Sequence, residues 1–80
     1  MFMIHKYDGC ADKCPLPLVK TRVILKKMQP NDVCLIKLTD KGSMKNIPNY
    51  LNKYYPTWQV VKTFVNDTVL EIKIIAREDS

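Results

Sequence analysis

Long apolar runs are missing from this 80-residue chain, and none approaches the roughly 20 residues of a membrane span. The opening Met1-Phe2-Met3-Ile4-His5-Lys6 also lacks the shape of a signal peptide. A soluble, cytoplasmic protein with no membrane partner is therefore expected. Glycine occurs only twice, and no repeat, low-complexity tract or linker interrupts the chain. With 46% hydrophobic and 26% charged residues the composition is globular, which argues against disorder. There is one histidine, and neither Cys-x-x-Cys nor His-x-x-x-His spacing occurs, so a structural zinc site has no ligand set. No cofactor is expected. Three cysteines is an odd number, which argues against a secreted disulfide framework and for free thiols in a reducing compartment. At this length a second core could not be filled, so residues 1–80 are read as a single domain.

What is present is concentrated in one place. Cys14-Pro15-Leu16-Pro17 sets a thiol where a helix is about to begin. Proline fits a helix's first turn because the amides there have no intrahelical partner to lose. With Cys14 at the N-cap, Pro15 and Pro17 fall at N1 and N3, and the free amides near the sulfur are those of Leu16 and Leu18. The positive end of the helix dipole then favours a thiolate, and Lys13 adds positive charge that Asp12 opposes. The rival reading of Cys14 is a small, inert, buried residue in a proline-rich turn.

Phe2 to Tyr7 reads as a first strand and Asp8 to Lys13 as a loop. Pro15 to about Met28 reads as a helix, stopped by Pro30 and the turn residues Asn31-Asp32. Val33 to Thr39 alternates as a strand, with Cys34, Ile36 and Leu38 on one face. Ser43 is a candidate cap for a second helical segment. Because Pro48 suits no helix interior, that helix is expected to start near Ile47 and end at Tyr54 or Tyr55. Trp58 to Val65 and Val69 to Arg77 are strands joined by Asn66-Asp67, a hairpin signal. In the last strand Leu70, Ile72, Ile74 and Ala76 share a face.

The order β-α-β-α-β-β predicts an α+β fold, a two-layer α/β sandwich. Its four-stranded mixed sheet carries two helices on one face. The first two strands form a parallel pair through a right-handed crossover, and the last two an antiparallel hairpin. In the first helix Leu18, Thr21, Ile24, Leu25 and Met28 form the buried stripe. Leu16, Val19 and Val23 make a second apolar strip that starts beside Cys14, among the basic residues Lys20, Arg22, Lys26 and Lys27. Scattered surface valines need no explanation. A docking surface formed by Val19, Val23 and Arg22 is the functional alternative.

These residues are similar to a known pattern. Asp8, then Lys13-Cys14-Pro15-Leu16-Pro17, Met28-Gln29-Pro30, and later Asp40 with Asn46-Ile47-Pro48, resemble the TusA/SirA family of small sulfur-carrier proteins. The resemblance runs from about Tyr7 to Leu51. It implies the same fold, and a persulfide carried on the cysteine of the motif, here Cys14. It also implies a sulfur donor, either a pyridoxal-phosphate cysteine desulfurase or another sulfurtransferase, and a downstream relay protein as acceptor. The best-known branch ends in 2-thiouridine of tRNA, while others serve sulfur oxidation or molybdenum-cofactor routes. Such a chain is one reactant in a relay and no self-contained enzyme. Ala11 and Asp12 depart from the family's usual Gly-Leu, and Cys10 stands where leucine is common, which leaves partner and pathway open.

Asp8 is expected to hold the loop by accepting backbone N–H bonds, a local role that outweighs a catalytic one. Cys10, four residues before Cys14, is either a loop cysteine in place of an apolar side chain or a second thiol able to attack a Cys14 persulfide. Cys34 is expected in the core and His5 in a structural role. Tyr50, Tyr54, Tyr55 and Trp58 are read as core aromatics. Two other functions compete. A net charge of +5 favours anionic partners and suits an RNA-binding module of this topology, similar to the C-terminal domain of translation initiation factor three. No aromatic RNP-type motif or dense arginine run supports that, so direct nucleic-acid binding is not expected. A thiol-redox or regulatory partner using Cys10 and Cys14 is the third reading.

Overall fold

The structure is a computed structural model that describes residues 2–77. Strand β1 (Ile4–Gly9) leads through a loop to helix α1 (Leu16–Lys27), followed by β2 (Val33–Leu38) and helix α2 (Lys41–Tyr54). The chain continues into β3 (Gln59–Phe64) and β4 (Leu70–Ile75). The sheet order is β1-β2-β4-β3, with β1 parallel to β2 and the pairs β2/β4 and β3/β4 antiparallel. Both helices pack on one face, so the α+β sandwich with its mixed sheet is as expected.

Alternation along the strands decides which residues enter the core, because successive side chains point to opposite faces. Cys34, Ile36 and Leu38 of β2 pair across the sheet with Ile74, Ile72 and Leu70 of β4, and all six are buried. Leu25 and Met28 from α1, Ile47 and Leu51 from α2, and Ala76 complete the core. The opposite face carries Ile4, Lys6 and Asp8 from β1 beside Val33, Leu35 and Lys37 from β2, and among the described residues no helix covers it. β3 contributes only Val60 to the core packing, and Val61 and Phe64 are exposed.

Several boundaries differ from the sequence reading. β1 pairs with β2 residue for residue from Ile4 to Gly9, so Asp8 and Gly9 lie in the strand and the loop starts at Cys10. α1 begins at Leu16 with Pro15 as N-cap, one residue later than expected. The cause is local: the Lys13 carbonyl accepts the Leu16 N–H at 2.9 Å, closing a turn around Cys14 and a cis Cys14–Pro15 peptide. The first bond back into the helix is then Val19 N–H to the Pro15 carbonyl at 3.1 Å. Pro17 moves to N2, where its missing N–H still costs nothing, and its ring is buried. Thr21 and Leu25 continue that buried stripe, and Leu18 and Ile24 pack against it part-buried.

The second helix differs more. It runs unbroken from Lys41, although Pro48 inside it forfeits a backbone hydrogen bond at a cost of about 3 kcal/mol. Asp40, and not Ser43, is the cap: its carboxylate accepts the Ser43 N–H at 2.9 Å and the Ser43 hydroxyl at 3.1 Å. Ser43, Ile47 and Leu51, spaced by four, are all buried against the sheet. Burial of that stripe, together with the cap, offsets the proline.

After α1, Asn31 takes a left-handed φ of 75°, a conformation asparagine tolerates. Asp32 then gathers the Gln29 N–H at 3.0 Å, the Met3 N–H at 2.9 Å and His5 Nε2 at 3.2 Å. These bonds hold its carboxyl below the usual range, those from Gln29 and Met3 most, and they fasten β1 to the start of β2. His5 thus has the expected structural role. Tyr50, Tyr55 and Trp58 pack part-buried against the core, with Tyr55 and Trp58 ring centroids 4.3 Å apart. Tyr54 departs from expectation: it points outward from the last turn of α2 and is exposed.

Candidate functional site at the Cys14 turn

The site is assembled where the loop after β1 meets the first turn of α2. Cys14 is exposed and a free thiol. Its backbone N–H points to Asp40 Oδ2 at 3.3 Å, so one carboxylate caps α2 and also anchors the cysteine. The Asp40 carboxyl is held below the ordinary range, chiefly by the Ser43 N–H and hydroxyl, then by the Cys14 N–H and the charge of Lys13. Gly42 sets the first turn of α2 against the Cys14 turn. A Cβ there would lie 3.2 Å from Asp40 Oδ2 and 3.9 Å from Cys14 Sγ. One turn later Asn46 Nδ2 lies 3.3 Å from Sγ, within hydrogen-bonding reach of sulfur.

This corrects one expectation about donors. The Leu16 amide, read as free to face the sulfur, is spent on the Lys13 carbonyl. The hydrogen-bond donor at Sγ comes instead from the second helix. Nothing local in sequence ties Asp40, Gly42 and Asn46 to a cysteine more than 25 positions away. The signals in sequence are Asp40 and Asn46 themselves, both part of the pattern shared with the family, and Asp40-x-x-Ser43, a helix start with the cap at its first residue.

The remaining loop residues are fixed by their own partners. Asp8 Oδ1 accepts the Cys10 N–H at 3.0 Å, the Asx-type turn expected of it. The Cys10 thiol also bonds to Asp8, which lowers the Asp8 carboxyl and pushes the thiol up, with burial adding to the upward shift. Thr39 Oγ1 donates to the Cys10 carbonyl at 2.6 Å. Thr39 and Asp40, adjacent at the β2–α2 junction, thus hold both ends of the Cys10–Cys14 segment. The two cysteines are free thiols with separate sets of partners. Asp12, expected to oppose Lys13, instead accepts from the Tyr7 hydroxyl at 2.5 Å and from Lys20 Nζ at 2.9 Å. Those two bonds, from Tyr7 first, keep its carboxyl low. Burial and then Asp12 push the Tyr7 phenol up.

Beside the site, Leu16, Val19 and Val23 are 45%, 49% and 50% exposed, so the second strip of α1 does face outward. Val19, Arg22, Val23 and Lys26 line a shallow cleft there, and the Arg22 guanidinium lies 5.7 Å from the Tyr50 ring centroid. No acidic residue falls within α1. Among the described residues no group of three His, Cys, Asp or Glu side chains is arranged to hold a metal ion, and no helix is long and apolar enough to cross a membrane.

Three comparisons with known proteins bear on this arrangement. The family model described as Sulfurtransferase TusA matches residues 5–75. No curated protein sequence matches significantly. Among solved structures, a SirA-like protein from Desulfitobacterium hafniense superposes with a TM-score of 0.70 at 19% identity, over 98% of this chain and 100% of that one. A Helicobacter pylori protein solved in solution gives 0.69 at 20% identity, over 91% of this chain and 97% of that one. Both likenesses concern the fold. The family match spans most of the sequence, including Cys14-Pro15-Leu16-Pro17 and the α2 residues that surround the thiol, and the chain therefore belongs to the TusA family of sulfurtransferases and sulfur carriers.

Proposed function

We propose that Cys14 carries sulfane sulfur as a persulfide within a cytoplasmic relay. The observation that carries this reading is the exposed Cys14 sulfur, held on a turn with an amide donor at 3.3 Å, in a chain of this family. In loading, the Cys14 thiolate attacks the terminal sulfur of a donor persulfide, and the donor cysteine leaves as a thiolate. In delivery the acceptor's thiolate does the same to the Cys14 persulfide. The donor is a cysteine desulfurase or another sulfurtransferase, and the acceptor is the next relay protein. Thiolation of tRNA is one endpoint for that relay.

The strip of Leu16, Val19 and Val23, bordered by Arg22 and Lys26, supports docking of the donor beside the thiol. Lys13 and Asp8 support the turn rather than the chemistry. Incubation with a cysteine desulfurase, pyridoxal phosphate and cysteine should add the mass of one sulfur to the peptide containing Cys14. Equal loading of Cys14→Ser would overturn the assignment. Accumulation of a Cys10–Cys14 disulfide in place of the persulfide would favour a redox role.

A further inference from the structure

Among the described side chains, Asn46 alone has a hydrogen bond that ends on the Cys14 sulfur. We propose that Asn46 stabilises Cys14 Sγ as a leaving group, so that the persulfide breaks in the direction that hands on its terminal sulfur. This rests on the reading of Cys14 as a persulfide carrier and assigns the step that its neighbouring helix serves.

A Cys14 persulfide offers two sulfurs to an incoming thiolate. Attack on the terminal sulfur forms a new S–S bond there and breaks its bond to Sγ. The electron pair returns to Sγ, which leaves as a thiolate. One persulfide and one thiolate give one persulfide and one thiolate, with no external oxidant or reductant. Attack on Sγ instead expels hydrosulfide, leaves a mixed disulfide on Cys14 and loses the cargo. The choice depends on which sulfur is attacked and on how well each leaving group bears charge.

A donor aimed at Sγ stabilises the charge that develops there only in the productive direction, and hydrogen bonds to ionised groups are the stronger kind. The amide of Asn46 keeps its protons at every pH, so this help does not switch off. The nearby carboxylate, Asp40, turns its Oδ2 to the Cys14 and Ser43 N–H groups. Gly42, in the first turn of α2, lies against the same cysteine: the site a Cβ would occupy is 3.9 Å from Sγ.

A residue with a merely structural role would change the rate of transfer but not the sulfur at which the persulfide breaks.

The test uses the full chain loaded with inorganic polysulfide, which needs no partner enzyme. Native, Asn46→Ala and the isosteric Asn46→Asp proteins are mixed with glutathione, trapped by alkylation and mapped by peptide mass. Native protein should return Cys14 mostly as the free thiol. Asn46→Ala should raise the share of Cys14–glutathione mixed disulfide about threefold or more, and Asn46→Asp further, since leaving ability follows the leaving thiol's acidity. Partition in both variants equal to that of native protein overturns the role of Asn46 and leaves the carrier reading standing. Failure of a desulfurase to load the native chain overturns the carrier reading, while the polysulfide partition still reports on Asn46.

Discussion

Cys14 and Cys34 are the same residue type in two opposite settings. Cys34 lies in β2 on the face that meets the helices, is fully buried, and has its thiol pushed up to about 11 by that burial. Cys14 stands at the edge of both helices, open to solvent, with α2 supplying a donor to its sulfur. Cys10 falls between them: half-buried, with its thiol tied to Asp8 and pushed up by that bond. Chemistry at a thiol follows its exposure and the groups facing it. One chain makes both a buried and an accessible cysteine, the first through strand alternation and the second at the helix ends.

The comparison can be broken most directly by exchanging the roles. Cys14→Ser should abolish sulfur loading, whereas Cys34→Ser should load as the native protein does. The cost of the second substitution falls on stability. A serine hydroxyl at position 34 meets an apolar core, and the urea midpoint should drop by the equivalent of about 1–3 kcal/mol. Loading of Cys34→Ser at a small fraction of the native extent, in folded protein, would end the assignment of Cys34 to the core alone.

A smaller effect separates docking from chemistry. Arg22→Glu reverses charge beside the exposed Val19 and Val23 and should slow desulfurase-driven loading about threefold to tenfold. Loading by inorganic polysulfide should be unchanged. Equal slowing of both would place the fault in the thiol's own environment and not in the docking strip.

The smallest effect sharpens the burial of Cys34. Its native thiol keeps the proton up to about 11, while an unfolded one releases it near 9.0. The native state therefore binds more protons in that window, and unfolding releases one. Stability from this source is intact below the unfolded value and declines as pH rises through the native one. Urea melts across this range should show a shallower alkaline decline in Cys34→Ala than in native protein. Identical slopes would mean that Cys34 is solvated.

Much of this fold was legible because alternation and helical spacing are local. Alternation gives Cys34, Ile36 and Leu38 one face of their strand and Leu70, Ile72, Ile74 and Ala76 one face of theirs, and the structure buries both together. The exposed strip of Leu16, Val19 and Val23 followed in the same way. The errors have a common origin in competition between local rules and packing. Pro48 argued for a late helix start, but Ile47 and Leu51 bury on either side of it, and the helix stays whole. Pro15 fits a helix's first position, yet the Lys13 carbonyl captures the Leu16 N–H and moves the cap. Asp12 and Lys13 are neighbours in sequence, which suggests that they oppose each other, but the partners of Asp12 are Tyr7 and Lys20.

The sequence by itself determined the order of elements, the buried stripes and the thiol ahead of a proline-bearing helix, since each depends on residues within a few positions of one another. Only the tertiary structure decided what faces the sulfur. Asp40, Gly42 and Asn46 reach Cys14 because the sheet sets the start of α2 against the turn before α1. Hydrogen bonds form between atoms close in space, and contacts that span so many residues exist only once the two layers have packed.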